Sequence, residues 1–533
     1  MLEDLLPYTV IVPAVASLVT LGLNKPVGRW NGLIAFLTSL LSIGVFGLST
    51  YKFFVNPTLS FDKPYQKVCD WVITDVIRLR FGFRADGLSS PIALTIAIVT
   101  ALIALYTIKG MRDSPSMGVF FSLYQLFFVG MLGLALSTNL IEFFIFFEIA
   151  VVTSWALVNE WGSGEKEKIA LKYFLFSEAG ALCFLAGVVA TYGYLGTLEM
   201  YGMYGIHEKI KMMGANLNPG ILVAIVSAML IGFFVKMAIF PLHSWLPDTY
   251  VAAPTPITAL LSAAMSGLAA YAIVRIVFLY TPALQYVAMV MIALAIVTMI
   301  YGAVNALGQD DFKRLVAYSS ISQMGYIMLG LGAAALAIGR ALAIGAGSSD
   351  LATLATIGAV GSMFHYIAHA MGKAVLFLLV GVFALQVGTT SISRMGGLAG
   401  KMPYTSVAMF IGFFTLMGVP FTSGFISEWM IFTSAIGSAA RLSDALNMLI
   451  MIVAIIATAL TFAYALWSIR RMLFGQLPSQ LNGVKEASPG LLAPLIVLAL
   501  ISIALGLYPA IFTKELSSTI TEELQRAIAG ILP

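Results

Sequence analysis

The run Gly232-Phe-Phe-Val-Lys236-Met-Ala-Ile-Phe-Pro241-Leu-His243-Ser-Trp245 puts a lysine inside an apolar stretch, a proline about a turn later and a histidine just beyond. A charged side chain at bilayer depth costs roughly 2.5–3.5 kcal/mol on insertion scales, so an intramembrane lysine is a functional candidate by default. A helix broken there is tolerated only where its freed carbonyls meet protein or water. Lysine, break and histidine together have the chemistry of a hydrated ion path. Other ionisable groups have equally apolar neighbours: Glu148 in Phe144-Ile-Phe-Phe-Glu148-Ile-Ala-Val151, Glu178 beside Ser177, Lys373, and Glu428 in Ser423-Gly-Phe-Ile-Ser-Glu428-Trp. Glu142, nearer the end of the Glu148 segment, is placed to reach the headgroups. His365, His369 and Lys373 recur at i, i+4 and i+8, which aligns two histidines and a lysine on one helical stripe.

A carboxylate beside a desolvated lysine favours the ammonium, and separation favours the free amine. A Glu–Lys pair whose separation varies is therefore a proton switch that needs no cofactor. Static buried ion pairs are the competing reading, and for Glu142, Glu178 and Arg275 the two readings weigh equally. A metal site is not expected. The histidine stripe lacks the acid of an HExxH arrangement and ends in a lysine, whose charge opposes a cation. Cys69, in a loop, and Cys183, in an apolar helix, cannot build a cluster or a zinc ribbon. No Walker or Rossmann glycine pattern is present.

The elements that position these groups are membrane helices. The chain is 60% hydrophobic and 10% charged, with mean hydropathy +0.96, where soluble domains carry about 25% charged residues. An all-α polytopic membrane protein is expected, with about fourteen spans beginning near Leu5, Asn31, Asp86, Ser116, Asn139, Lys168, Pro219, Pro256, Ala283, Phe312, Leu351, Pro403, Asp444 and Gly490. Glu3 and Asp4 stand where a signal peptide would be basic, so the first helix is expected to stay. Basic residues cluster after the odd-numbered helices, for example Lys109 and Arg112, Lys166 and Lys168, and Arg470 and Arg471. That places both termini outside the cell membrane. Residues 56–85 carry bases offset by Asp62, Asp70 and Asp75, and alternate apolar and polar residues around Trp71–Phe81, as in an external β-hairpin. A net charge of +4 spread along the loops does not point to nucleic acid.

Gly232-Phe-Phe-Val-Lys-Met-Ala-Ile-Phe-Pro241 is echoed by Gly412-Phe-Phe-Thr-Leu-Met-Gly-Val-Pro420, and more weakly Ala179–Gly187 by Met371–Gly381. Paired interrupted helices in two halves point to repeats with a site near the midplane. The seventh and twelfth helices differ by five, an odd offset, so the repeats would be inverted. The expected organisation is residues 1–115 for helices 1–3 with the hairpin, 116–281 for a first five-helix repeat, 282–475 for a second, and 476–533 for helix 14 and a tail.

The motifs resemble the antiporter-like membrane subunits shared by respiratory complex I, energy-converting membrane-bound hydrogenases and Mrp-type cation/proton antiporters. The resemblance covers most of the chain. It rests on Asp86–Ser89, Phe146-Phe-Glu148, Lys236–Asp248, Ala253–Leu261, Gln309–Gly325, His369–Leu376 and Gly418–Trp429, in that order. It implies fourteen helices with two inverted five-helix repeats, in which Glu148 pairs with Lys236 and a hydrophilic axis continues to Lys373 and Glu428. It also implies no cofactor in this chain. Redox chemistry would lie in a peripheral arm, alongside homologous membrane subunits in the same complex. Glu428, where Mrp relatives often have lysine, favours a redox-driven complex that moves protons or sodium. An Mrp-type antiporter subunit, a non-pumping structural subunit and a solute transporter are the alternatives. One departure stands out: relatives often carry an eighth-helix lysine, but Ser262–Ala270 has no ionisable group. The link from Lys236 to Lys373 would then run through water, Ser262, Ser266 or His243.

Overall fold

The computed structural model describes residues 2–59, 63–74, 78–344, 349–440 and 444–529; Asp62 and Asp75 lie outside the described residues. Among the described residues thirteen helices are long and apolar enough to cross a membrane, and Pro403–Leu416 is a shorter apolar helix. We label them α1 (Leu2–Gly22), α2 (Gly28–Val55), α3 (Ser89–Gly110), α4 (Met117–Leu136), α5 (Leu140–Trp161) and α6 (Lys166–Leu195). Then follow α7a (Pro219–Met237), α7b (Leu246–Ala252), α8 (Thr255–Leu279), α9 (Thr281–Leu307), α10 (Phe312–Ile344) and α11 (Ser349–Gln386). The chain continues as α12a (Pro403–Leu416), α12b (Ser423–Ala439), α13 (Asp444–Leu473), α14 (Pro489–Leu507) and an amphipathic α15 (Ala510–Ala529). The expected starts fall close to these, as Asp86 does to Ser89 and Gly490 to Pro489.

Helices α8 and α11 are almost wholly enclosed by the others, whereas α1, α6 and α13 turn much of their surface outward. With lipid as apolar as leucine, close helix packing depends on small residues. Gly302 of α9 lies against the backbone of Ser322 in α10, where an added Cβ would sit 2.4 Å from its nitrogen. The central helices thus approach closely enough to bury polar side chains between them.

The two expected breaks are both present, and they share one capping pattern. At the end of α7a, Ala238 N–H donates to Val235 O (3.1 Å) and Ile239 N–H to Phe234 O (2.9 Å). At the end of α12a, Gly418 N–H donates to Thr415 O (3.4 Å) and Val419 N–H to Phe414 O (3.0 Å). These are paired 5→2 and 6→1 bonds around a left-handed residue, the Schellman arrangement. The left-handed residues are Ala238 (φ 53°) and Gly418 (φ 63°), which align in the sequence echo.

The expected hairpin pairs β1 (Tyr65–Ile73) with β2 (Arg78–Ala85), and its register is irregular between Asp70 and Val72. Cys69, read as a loop residue, lies in β1 because the strand starts earlier than the Trp71–Phe81 alternation. The hairpin lies on the start of α5: Asn139 Nδ2 donates to Arg80 O, and Phe81 and Phe83 pack on Phe146.

A left-handed residue other than glycine costs roughly 1–3 kcal/mol, and a Cβ on Gly418 would also lie 2.6 Å from Glu428 Oε2. Gly418→Ala is expected to lower the thermal stability of the detergent-purified protein and to displace Glu428. Ala238→Gly, at the equivalent turn, is expected to be neutral or stabilising in the same melting measurement.

Candidate functional site

Lys236 sits in the last turn of α7a, where the carbonyl end of the helix favours a cation. It is buried. Its Nζ donates to Tyr173 Oη of α6 at 3.0 Å and lies 5.1 Å from the Tyr173 ring and 5.5 Å from the Phe147 ring. Tyr173 Oη is 2.7 Å from Ser154 Oγ of α5. Trp245, from the turn after the break, packs on the Tyr173 ring at 5.2 Å. Its indole N–H donates to Val235 O at 3.0 Å. The break therefore builds the wall of the lysine's pocket.

Glu148 does not close an ion pair with Lys236. Its carboxyl faces Glu178 of α6, and Lys236 acts on it as a nearby charge. Both acids are only partly buried in this chain. The resemblance paired Glu148 with Lys236; the structure adds Glu178 beside Glu148 and makes Tyr173 the hydrogen-bond partner of Lys236.

His243, in the same turn, packs on Phe240 (5.4 Å) and on Tyr301 of α9 (4.4 Å). It makes no hydrogen bond to Ser262 or Ser266, since the turn carries its ring towards α9. The serines face elsewhere. Leu261–Met265 of α8 is a π-helical turn, a feature common at functional sites. Tyr366 Oη of α11 donates to Ala264 O within it, at 2.6 Å. Ser266 Oγ lies 2.7 Å from Tyr250 Oη of α7b, and Ser262 Oγ 3.0 Å from Ser320 Oγ of α10. Ser320 donates to Val316 O (3.0 Å).

Lys373 reaches the same carbonyl. Its Nζ donates to Val316 O at 3.0 Å and to Ser319 Oγ. The stripe on α11 is present as expected: His365 contacts Ser427 Oγ (2.9 Å) and Gln323 Oε1 (3.0 Å). Both ring nitrogens of His369 lack a hydrogen-bond partner. Gln323 Nε2 donates to Leu416 O at the end of α12a (3.2 Å). Glu428 is buried beside Gly418 at the second break. Polar groups thus fall into three sections, Ser154–Tyr173–Lys236, Tyr250–Ser266, and Ser262–Ser320, the last meeting Lys373 at the Val316 carbonyl, and the Trp245 ring stands between the two tyrosines at 5.2 and 6.3 Å.

Two secondary candidates sit apart from this line. Glu142 is fully buried rather than at the headgroups. Its Oε2 accepts from Thr138 N–H (3.0 Å), while Asn139 Oδ1 accepts from Glu142 N–H (2.9 Å). This reciprocal cap on α5 explains why an acid stands there. Arg275 joins Asp86 (2.6 Å) and Glu523 of α15 (2.8 Å), and Arg84 also binds Asp86 (3.1 Å). Burial alone would raise the Asp86 carboxyl, yet the Arg275 and Arg84 charges hold it below the usual carboxylate range. No group of three or more His, Cys, Asp or Glu among the described residues is placed to hold a metal ion.

Residues 137–461 match the family described as NADH:quinone oxidoreductase/Mrp antiporter, transmembrane, and residues 71–121 match the complex I chain 5 N-terminus family. The NAD(P)H-quinone oxidoreductase chain 4 of Gloeobacter violaceus is 30% identical, over 98% of this chain and 94% of its own length. The chain belongs to this family. F(420)H(2) dehydrogenase subunit M of Methanosarcina mazei is 29% identical, over 94% of both chains. In fold, the antiporter-like subunit resembles a chain of the membrane-bound sulfane sulfur reductase, an archaeal respiratory membrane complex. The TM-score is 0.80 at 24% identity, covering 99% of this chain and 100% of that one. It is a multi-pass membrane protein with antiporter-like architecture.

Removing one partner from a buried ion pair costs about 3–5 kcal/mol. Asp86→Asn is accordingly expected to lower the melting temperature of the purified subunit. Because the folded Asp86 carboxyl lies below its ordinary value of 3.8, its stabilisation is present above that pH and is lost as pH falls through the folded value. A melting series in acid should show a steeper loss for the native chain than for Asp86→Asn.

Proposed function

We propose that this antiporter-like subunit moves protons, or sodium, across the cell membrane as part of a redox-driven multisubunit complex. The observation that carries this reading is Lys236, buried at a helix break, hydrogen-bonded to Tyr173 and with Glu148 within electrostatic reach. Its full-length similarity to subunits named for quinone and F(420)H(2) oxidoreductases supports a redox-driven complex, as does a carboxylate at Glu428. On this reading the redox groups and their peripheral arm belong to partner subunits, homologous membrane subunits sit alongside, and no cofactor is held here. Both termini face outside, and helices 4–8 and 9–13 form two inverted units.

Lys236 takes a proton when its ammonium is paired with Glu148 and gives it up when the pair is separated. The proton then passes by water across the Trp245 gap to Tyr250 and Ser266, by water to Ser262 and Ser320, and by water from Ser320 to Lys373, because those two meet only at the Val316 carbonyl, which accepts hydrogen bonds and does not relay a proton. His369, His365 and Glu428 continue the line. A chain of hydroxyls is suited to this because each can accept one proton and donate another. The hydroxyl section occupies the place of the eighth-helix lysine. The absence of an ionisable group on that face supports one second reading, a structural subunit that does not pump.

Two substitutions separate these readings. Glu148→Gln keeps the shape and removes the charge that stabilises the Lys236 ammonium. Lys236→Arg keeps the charge but cannot readily deprotonate, since its pKa stays above about 12. Both are expected to assemble, and to reduce proton or sodium movement in sealed vesicles to about a hundredth of native or less, the scale of a lost general acid–base group. Native transport by assembled Lys236→Arg would make the lysine an electrostatic fixture and favour the structural reading.

A further inference from the structure

Lys236 has two neighbours of different chemistry. Glu148 is a carboxyl, which as the anion only accepts hydrogen bonds. Tyr173 carries a hydroxyl, which accepts and donates. The ammonium can donate to Tyr173 Oη at 3.0 Å, with the phenol O–H donating to Ser154 Oγ at 2.7 Å and Ser154 donating to Ala150 O at 2.7 Å. With a neutral amine the directions reverse. Ser154 O–H turns to Tyr173 Oη, and the phenol donates to Nζ. Every heavy atom stays where it is, and the Nζ–Oη–Oγ hydrogen-bonded line persists in both protonation states. The Phe147 and Tyr173 rings add attraction for the cation, and Trp245 fixes the Tyr173 ring in place.

We propose that Tyr173 is a positioning residue that receives Lys236 in its proton-released state, so that the lysine alternates between Tyr173 and Glu148 during transport. This rests on the function proposed above. The titratable groups facing Lys236 are Glu148 from α5, Tyr173 and Glu178 from α6, and, beyond Trp245, Tyr250 from α7b. Helices α4 and α8 contribute Leu134, Met265, Leu268 and Ala269 to the small cavity beside Lys236, none of which titrates. Among the described residues Tyr173 is therefore the one hydroxyl bonded to Lys236, and none of these apolar side chains can substitute for it.

The test is Tyr173→Phe in the assembled complex, which removes the hydroxyl and leaves the ring. Ion movement in sealed vesicles, driven by the complex's own electron donor, is measured across pH. Without the phenol the neutral amine loses its donor, so a higher pH is needed to free the proton. Transport is expected to fall about tenfold near neutral pH, and the midpoint of the pH profile to move up by about half to one unit, the scale of one hydrogen bond between neutral groups. Ser154→Ala should move it in the same direction by less, and decides the matter if Tyr173→Phe does not assemble. An unmoved profile, with or without a fall in rate, overturns the proposal. Lys236→Ala is the control. If it transports at the native rate, the proposed function itself fails. If it is inactive while Tyr173→Phe is native in rate and profile, only the role of Tyr173 falls.

Discussion

A helix that ends within a bilayer must hand its last carbonyls to something other than lipid, and the interior of this protein is arranged around two such ends. At the first, Phe234 O and Val235 O are taken by the backbone turn and by the Trp245 indole. The same indole then packs on Tyr173, which holds Lys236. At the second, Gln323 takes Leu416 O and passes on to His365. The groups that satisfy the breaks are thus the groups that surround the ionisable side chains. A cation at the end of α7a gains from the exposed carbonyl end of its own helix. The second half has Leu416 at the matching position, and its cation, Lys373, comes from α11 instead.

Between the two ends lies α8, enclosed on all sides and devoid of ionisable residues along Ser262–Ala270. Its π-helical turn changes the register of the helix, so that Ser262 meets Ser320 of α10 while Ser266 meets Tyr250 of α7b. On a regular helix the four-residue spacing would aim both serines at the same neighbour. The turn thereby lets one helix serve two partners with short side chains. Tyr366 satisfies Ala264 O within it, which lets the irregular backbone persist in an apolar core.

Much of this was legible in the sequence, because the strongest signals are costly ones. Proline after an apolar run marked both breaks, isolated charges marked Glu148, Lys236 and Lys373, and period-two alternation marked the hairpin. The remainder depended on contacts between distant segments. Tyr173 reads as one more aromatic of an apolar helix, and only its placement between Lys236 and Ser154 makes it a partner. Glu142 looked like an interfacial acid because its capping bonds involve Thr138 and Asn139, whose geometry spacing alone leaves open. Arg275 finds Glu523 across 248 positions of chain, beyond any local pattern. The π turn has no marker in an Ala/Ser/Met run.

The central claim is that Lys236 changes both its proton and its partner during transport. The most direct measurement is a structure of the assembled complex, at a resolution that shows ordered water, determined at rest and again during turnover. The account predicts Lys236 Nζ at Tyr173 in one state and at Glu148 in another, with water joining Tyr173 to Tyr250 past Trp245. A single lysine position in both states, with dry close packing between those tyrosines, would contradict it.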